Sequence, residues 1–327
     1  MYLFLSIALL LQATIYFQSE KLAHKFNLYD FPDQETKTHK RPTPLIGGLG
    51  LIIISFAYIF FDIYIYGLDR EIIAILLIIS SLSILGILDD KYSYKGNNKL
   101  IIVFIFTLIF FLISHHHFKI DFLNFFILNE NVLIFNLWYF ILPFSFTFLI
   151  FSLNISDGKN GLVTSFSFVL LLILYFSYPN LEYKNYLVFI LFGLFLVFLF
   201  NFNGKLFLGS SGVNIIAVSI FLIILKIYKH NEVYIEEIIL IYFVHVFEVL
   251  RLFFSRIYSN RDPFKRDINH LHNFIFKKFN QTIAIIIYNF ISFFPFIIHK
   301  FSEISLMLSF FIALFLYTVS IIYCKKI

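Results

Sequence analysis

Long apolar runs follow one another along almost the whole chain, separated by short polar islands. Eleven runs approach the length a helix needs to cross the hydrocarbon of a bilayer: residues 2–17, 45–66, 72–88, 100–114, 133–153, 161–178, 185–201, 211–228, 236–256, 281–298 and 304–323. Open strands are excluded in lipid, because their edges would leave backbone groups unpaired. The pattern therefore predicts an all-α fold, a polytopic integral membrane helical bundle of about eleven transmembrane helices. No linker or soluble insertion divides it, so residues 1–327 are expected to form a single transmembrane domain. The first run, Met1–Phe17, lacks a basic leader and a small-residue cleavage site and reads as a span, not a removed signal peptide.

Composition agrees with the pattern. Hydrophobic residues make up 60% of the 327, Phe alone contributes 48, and mean hydropathy is +0.87. Charged residues are 14%, against roughly 25% in a soluble globule. A single cysteine, Cys324, excludes an internal disulfide and a cysteine-rich metal site. The formal charge of +5 does not point to nucleic acid, because the basic residues sit beside the spans, where they set orientation. Eighteen Lys and Arg fall on the side of Lys21–Arg41, Lys91–Lys99, Lys159, Lys205, Arg256–Lys278 and Lys325–Lys326. Six fall on the other (Arg70, Lys119, Lys184, Lys226, Lys229 and Lys300), and Arg251 lies within a span. This bias predicts an outside N-terminus and a cytoplasmic C-terminus.

The polar islands then share the cytoplasmic face. They are "DFPDQETKTHKRPTPLIGG" (Asp30–Gly48), "LDDKYSYKGNNK" (Leu88–Lys99), "NISDGKNG" (Asn154–Gly161) and "RDPFKRDINHLHN" (Arg261–Asn273). Asp89 and Asp90 close the third span, where negative charge opposes the helix dipole. Such a pair suits Mg²⁺ with substrate phosphates, or a base with its orienting partner; alternatively it is a solvated helix end. Lys91, Lys95 and Lys99 can pair with phosphate oxygens, or are ordinary basic residues of the cytoplasmic side. Asn154, Asp157 and Asn160 recur every three residues and would share a face on a helical turn, while Gly158 and Gly161 permit a tight turn and close approach of a ligand. His270 and His272 are two apart, a spacing poor for zinc on one helix but suited to an extended loop that touches phosphate or acts in proton transfer; alternatively they belong to a basic cytoplasmic loop. In the first island Lys37 and His39 can reach a phosphate, and Pro32, Pro42, Pro44, Gly47 and Gly48 impose a defined loop into the second span. His115, His116 and His117 read as interfacial. Glu248 and Arg251, three apart, can pair across one helical turn; an ionisable group inside a span costs roughly 2.5–3.5 kcal/mol at its centre, which favours a bracing or site-facing role.

In this order and spacing, "LGILDDKYS", "NISDGKNGL", "NFNGKLFLGSSG" (Asn201–Gly212) and "RDINHLHN" resemble the polyprenyl-phosphate N-acetylhexosamine-1-phosphate transferases, glycosyltransferase family 4, over about Asp30 to Asn273. The resemblance implies transfer of a sugar 1-phosphate from a UDP-N-acetylhexosamine donor to an undecaprenyl phosphate acceptor in the membrane lipid, with release of UMP. That step initiates cell-envelope polysaccharide assembly at the cytoplasmic face of a bacterial inner membrane. The resemblance further implies Mg²⁺, with Mn²⁺ as a substitute, and leaves room for a homodimer. Carried over residue by residue, Asp89, Asp90 and Asp157 are the expected catalytic groups. Lys37, His39, Lys99, Asn154, Asn160, Gly161, His270 and His272 are the expected substrate contacts. Asp89, Asp90, Asp157 and Ser210 stand at the metal positions.

One departure stands out. The family reads Gly-Asp where this chain has Gly209-Ser210, and serine is a weak ligand for a hard cation. Either the remaining carboxylates and the substrate diphosphate hold the metal, or the chain has lost catalysis and binds lipid carrier or partner glycosyltransferases. A transporter is the more distant rival, since transporters place polar groups near the midplane in broken helices and here they gather in loops. The charge bias carries its own test. Single cysteines placed in the Lys21–Arg41 and Arg256–Lys278 segments should resist an impermeant maleimide in intact cells; labelling of one segment alone would mean that the number of spans between them is wrong.

Overall fold

The computed structural model describes residues 1–32, 41–260, 269–302 and 304–325. Its contacts cluster into two compact units, Met1–Asp121 with Ile134–Lys229, and Phe122–Leu133 with His230–Ile327. The first unit holds helices α1 (Tyr2–Phe17), α2 (Ser19–Phe26), α3 (Gly47–Tyr66), α4 (Arg70–Tyr92), α5 (Gly96–Ile113), α6 (His115–Phe118), α7 (Trp138–Ser156), α8 (Leu162–Ser177), α9 (Lys184–Phe202) and α10 (Gly209–Lys229). Two residues of β1 (Tyr29–Asp30) pair antiparallel with β2 (Thr43–Pro44) just before α3. The second unit holds a hairpin of β3 (Phe122–Phe125) and β4 (Glu130–Leu133) and helices α11 (Ile235–Ile241), α12 (Phe243–Tyr258), α13 (Leu271–Lys278), α14 (Gln281–Ser302) and α15 (Leu306–Lys325).

Each of the eleven apolar runs is helical. Among the described residues eight helices are long and apolar enough to cross a membrane, and ten if each of two bent pairs is one span. The bent pairs are α1 with α2, at 73°, and α11 with α12, at 75°. The eleventh run is α8, whose 16 residues extend about 24 Å at 1.5 Å per residue, short of the roughly 30 Å hydrocarbon.

Helix α10 is the axis of the first unit. Of its most apolar stretch 94% is buried, against 22% to 50% for the other seven candidate spans. Helix α4 runs antiparallel beside it and is tied to it along its length. At one end Lys226 of α10 is buried and pairs with Glu71 of α4 (2.7 Å) and with Glu182 (2.8 Å). Glu71 also accepts from the hydroxyl of Tyr183 and lies 3.0 Å from His117, so the expected interfacial histidine run supplies a partner here. In the middle, the Asn214 amide donates to the Leu82 carbonyl (2.9 Å). At the other end Gly86 of α4 lies against the first turn of α10, where a Cβ would strike Cα of Ser211 and come within 2.6 Å of its amide nitrogen.

That close approach predicts an asymmetry between two glycines. Gly86→Ala must push α4 and α10 apart, an overpacking that costs about 1–3 kcal/mol. Gly96→Ala, at the start of α5 with nothing within 4 Å of its Cβ, should be neutral or slightly stabilising. Thermal unfolding in detergent compares them; equal midpoints for the two variants would contradict the packing described.

Candidate functional site

Asp89 and Asp90 lie in the last turn of α4, which ends at Ser93 in the left-handed region (φ 51°). Their unfavourable position at a helix C-terminus has a physical compensation: the N-terminus of α10 is aimed at them. The Asp90 carboxylate accepts from the Ser210 amide (2.6 Å), the Ser211 amide (3.2 Å) and the Ser211 hydroxyl (2.9 Å). It therefore caps α10 from another helix, and the positive end of one dipole offsets the negative end of the other. Gly209 makes this possible. Its φ is +72°, and a Cβ there would lie 2.6 Å from an Asp90 oxygen.

Asp89 turns the other way. One oxygen accepts from the Tyr94 amide (3.0 Å), the second from Lys99 Nζ (2.8 Å) and the Ser210 hydroxyl (2.5 Å). The Lys99 ammonium, in the first turn of α5, also donates to Asn154 Oδ1 (3.1 Å) and Ser210 Oγ (3.0 Å). An ammonium has three N–H groups, so all three are engaged. The orientation of the Asn154 amide is set by its own Nδ2, which donates to the Ile150 carbonyl one turn earlier on α7 (2.9 Å). Lys99 and Asp89 expose only 14% and 11% of their side chains. Four helices thus meet at one nitrogen: α4 through Asp89, α5 through Lys99, α7 through Asn154 and α10 through Ser210.

The three-residue repeat Asn154, Asp157, Asn160 does not share a helical face. Asn154 is on α7, but the helix stops at Ser156, Asp157 is its C-cap, and the chain turns through Gly158 to Gly161, whose φ is +79°. The glycines that permit the turn are the reason the helix cannot continue through the repeat. The turn is pinned by Asn201 at the end of α9, which accepts from the Gly161 amide (2.7 Å) and donates to the Leu206 carbonyl (3.0 Å). Asn160 faces Gly204 in the same connection. Burial pushes the Asp157 carboxyl up to about 7; the negative charge of Asp90 adds to the shift and Lys99 opposes it. The segment entering α3 is laced to the segment entering α10: the Gly47 and Gly48 amides donate to the Phe207 and Leu208 carbonyls (3.0 and 2.9 Å), and the Phe207 amide donates to the Pro44 carbonyl (2.8 Å).

In the second unit a buried carboxylate organises the histidine motif. Glu248 accepts from Arg251 (2.7 and 3.2 Å), the Tyr317 hydroxyl (2.6 Å) and the Leu271 amide (2.7 Å). Arg251 donates in turn to the Asn269 carbonyl (2.6 Å). Glu248 and Arg251 pair as their spacing implies, and together they clamp the start of α13. His270 and His272 do not lie in an extended loop. His270 is the N-cap of α13 and His272 is in its first turn, both buried, with nearly parallel rings 5.2 Å apart. The amide capped by Glu248 is what starts the helix between them. Lys37 and His39 lie outside the described residues.

The divalent ion that the resemblance implies does not fit this donor set. Among the described residues no three of His, Cys, Asp and Glu gather as a metal-holding group. Asp90 has both oxygens committed to α10, Asp89 has both committed to Tyr94, Lys99 and Ser210, and Ser210 brings no charge. Ser211, Asn201 and Glu248 are the groups whose positioning roles were missed or left general by sequence reasoning. Asn201 and Ser211 sit inside the quoted "NFNGKLFLGSSG" segment, which was the available signal.

Comparison with known proteins finds similarity to one family over these segments. The model of the glycosyl transferase family 4 matches residues 72–228, the stretch that runs from α4 to α10 and holds Asp89, Lys99, Asn154, Asp157 and Ser210. A phospho-N-acetylmuramoyl-pentapeptide-transferase of Dictyoglomus turgidum is 26% identical over 296 residues, covering 85% of this chain and 89% of the relative. A protein of the same name from Dictyoglomus thermophilum is 28% identical over 178 residues, covering 52% of this chain and 54% of the relative, so that match spans about half its length. With the family match centred on the α4–α10 pair and the ordered motifs around it, the chain is similar to glycosyl transferase family 4 over residues 72–228.

Proposed function

We propose that this protein transfers a sugar 1-phosphate from a UDP-N-acetylhexosamine to undecaprenyl phosphate, at the cytoplasmic face of a bacterial inner membrane. A lipid phosphate oxygen attacks the β-phosphorus of the nucleotide sugar. A new P–O bond forms, the bond from the β-phosphorus to the bridging oxygen breaks, and UMP leaves with that oxygen. Such a transfer depends on positioning and charge neutralisation more than on covalent chemistry by the protein. The observation that carries the reading is the meeting of Asp89, Lys99, Asn154 and Ser210, because it offers a cation and a carboxylate together within the family's own motifs.

The geometry supports a role for each group. Lys99 is the group to neutralise the transferring phosphoryl oxygens. Asp89, released from Lys99 when phosphate takes its place, is the base that removes a proton from the acceptor phosphate. Asp90 acts through α10, holding Ser210 and Ser211 in place. We assign to Asn154, Asn160 and Gly161 contact with nucleotide or sugar, Asn154 through the oxygen it turns toward Lys99, and Asp157 adds a carboxyl beside them. In the second unit we assign to His270 and His272 contact with a phosphate or a sugar hydroxyl.

A second reading has one specific observation in its favour. With Ser210 at the Gly-Asp position and every Asp89 and Asp90 oxygen engaged, the site can bind a phosphorylated lipid without turning it over. The test is incubation of the purified protein with radiolabelled UDP-sugars and undecaprenyl phosphate, followed by organic extraction. The transferase reading expects lipid-soluble label from at least one UDP-N-acetylhexosamine, and a loss of about 10²–10⁴-fold in Asp89→Asn. Retention of undecaprenyl phosphate with no label transferred from any donor favours the second reading; full turnover in Asp89→Asn would remove Asp89 from the chemistry.

A further inference from the structure

We propose that the Lys99 ammonium is the built-in cation of the Asp89 site, standing where a divalent ion would otherwise be held, so that this protein binds its phosphorylated ligand without a metal. Three oxygens from three helices converge on Nζ: Asp89 Oδ2 at 2.8 Å, Ser210 Oγ at 3.0 Å and Asn154 Oδ1 at 3.1 Å. These are ammonium distances. A magnesium ion needs near-octahedral oxygens at about 2.0–2.1 Å, and it would have to expel Lys99 to reach the same three atoms.

Charge decides the matter. Asp89 contributes one negative charge, Lys99 one positive charge and Ser210 and Asn154 none, so the four groups around Nζ are neutral as they stand, while the Asp90 charge is offset by the amides at the start of α10. An aspartate at position 210 would leave a net negative charge among buried oxygens, a strong reason for a divalent cation to enter. The serine removes that reason and adds an acceptor of the right size for the third N–H of the lysine. Asp90 cannot restore the missing charge to a metal, because its oxygens face the Ser210 and Ser211 amides and the Ser211 hydroxyl. Nor can Asn154 swing away to make room. Its Nδ2 bond to the Ile150 carbonyl holds the oxygen toward Lys99.

For the identity of the phosphorylated ligand this inference rests on the reading above; for the absence of a divalent site it stands on the donor set alone. Manganese binding by the purified full-length protein, without nucleotide or lipid, tests it through the electron paramagnetic resonance signal of free Mn²⁺. Wild type is expected to show no saturable site tighter than about 1 mM, while Ser210→Asp gains one Mn²⁺ per chain that is lost again on adding Asp89→Asn. Lys99→Met, if it folds, should gain a weaker site at the same carboxylate. A wild-type site with one Mn²⁺ per chain that disappears in Asp89→Asn would overturn the proposal. The transfer assay supplies an independent arm. Equal turnover in EDTA and in Mg²⁺ supports the inference, and turnover that vanishes in EDTA overturns it while leaving the transferase reading intact. No turnover under either condition would count against the transferase reading, and the Mn²⁺ titration would still decide for or against Lys99.

Discussion

A lysine ammonium taken out of water must find an acceptor for each of its N–H groups and a charge to balance it. Lys99 finds both, and doing so brings four helices to one point. Removing either member of a buried pair leaves an uncompensated charge, at a cost of about 3–5 kcal/mol, so the Asp89–Lys99 contact constrains its surroundings even where its net contribution to folding is small. Asn154 and Ser210 are held by the same demand. The chemistry of the site and the packing of α4, α5, α7 and α10 are therefore the same set of bonds.

The α4–α10 pair extends this constraint through the first unit. Glu71 and Lys226 form a second buried ion pair at the opposite end of the two helices, 18 residues from Asp89 along α4 and 16 from Ser210 along α10. Between the two ends the contacts are small and close: Gly86 against Ser211, and the Asn214 amide on the Leu82 carbonyl. Two antiparallel helices fixed at both ends and close-packed between them cannot slide in register without breaking the Glu71–Lys226 pair at one end or the Asp90 bonds to Ser210 and Ser211 at the other. That rigidity suits a site whose acceptors must be held to a few tenths of an ångström.

Much of this was legible in the sequence. Apolar runs of about twenty residues announce their helices without help from tertiary structure, and ten of the eleven are each mainly one helix, the run 236–256 being divided between α11 and α12. The break at Tyr242 was not legible, because no Pro or Gly marks it and the apolar pattern runs straight through α11 and α12; the end of α1 coincides with the end of the first run, but its bent continuation as α2 does not show in the apolar pattern. Asp89 could be picked out as a carboxylate in an improbable place and Asn154 by its spacing within a polar turn, whereas Lys99 looks no different in the sequence from Lys91 and Lys95. Their partners could not be picked out, since Ser210 lies 121 residues beyond Asp89 and nothing local to "LDDKYS" indicates which helix end will face it. The same holds for Asp90. The dipole argument showed that a carboxylate there needs compensation, but only the fold shows that α10 supplies it. In the second unit the i, i+3 spacing of Glu248 and Arg251 gave their pairing, while the capping of α13 by Glu248 depends on a contact 23 residues away.

Ser210 ties these threads together. In the resemblance it is a loss, an aspartate replaced by a weak ligand; in the structure it is an acceptor for Lys99 and a donor to Asp89. The central claim is that Asp89 and Lys99 are coupled members of one buried network, and a double-mutant cycle on thermal stability measures that coupling directly. Asp89→Asn, Lys99→Met and the double variant are compared with the parent protein in lipid nanodiscs. The network predicts that the double variant loses less than the sum of the single losses, by a coupling energy of about 0.5–3 kcal/mol. Losses that simply add would contradict it and return Lys99 to the role of an ordinary basic residue at the end of a span.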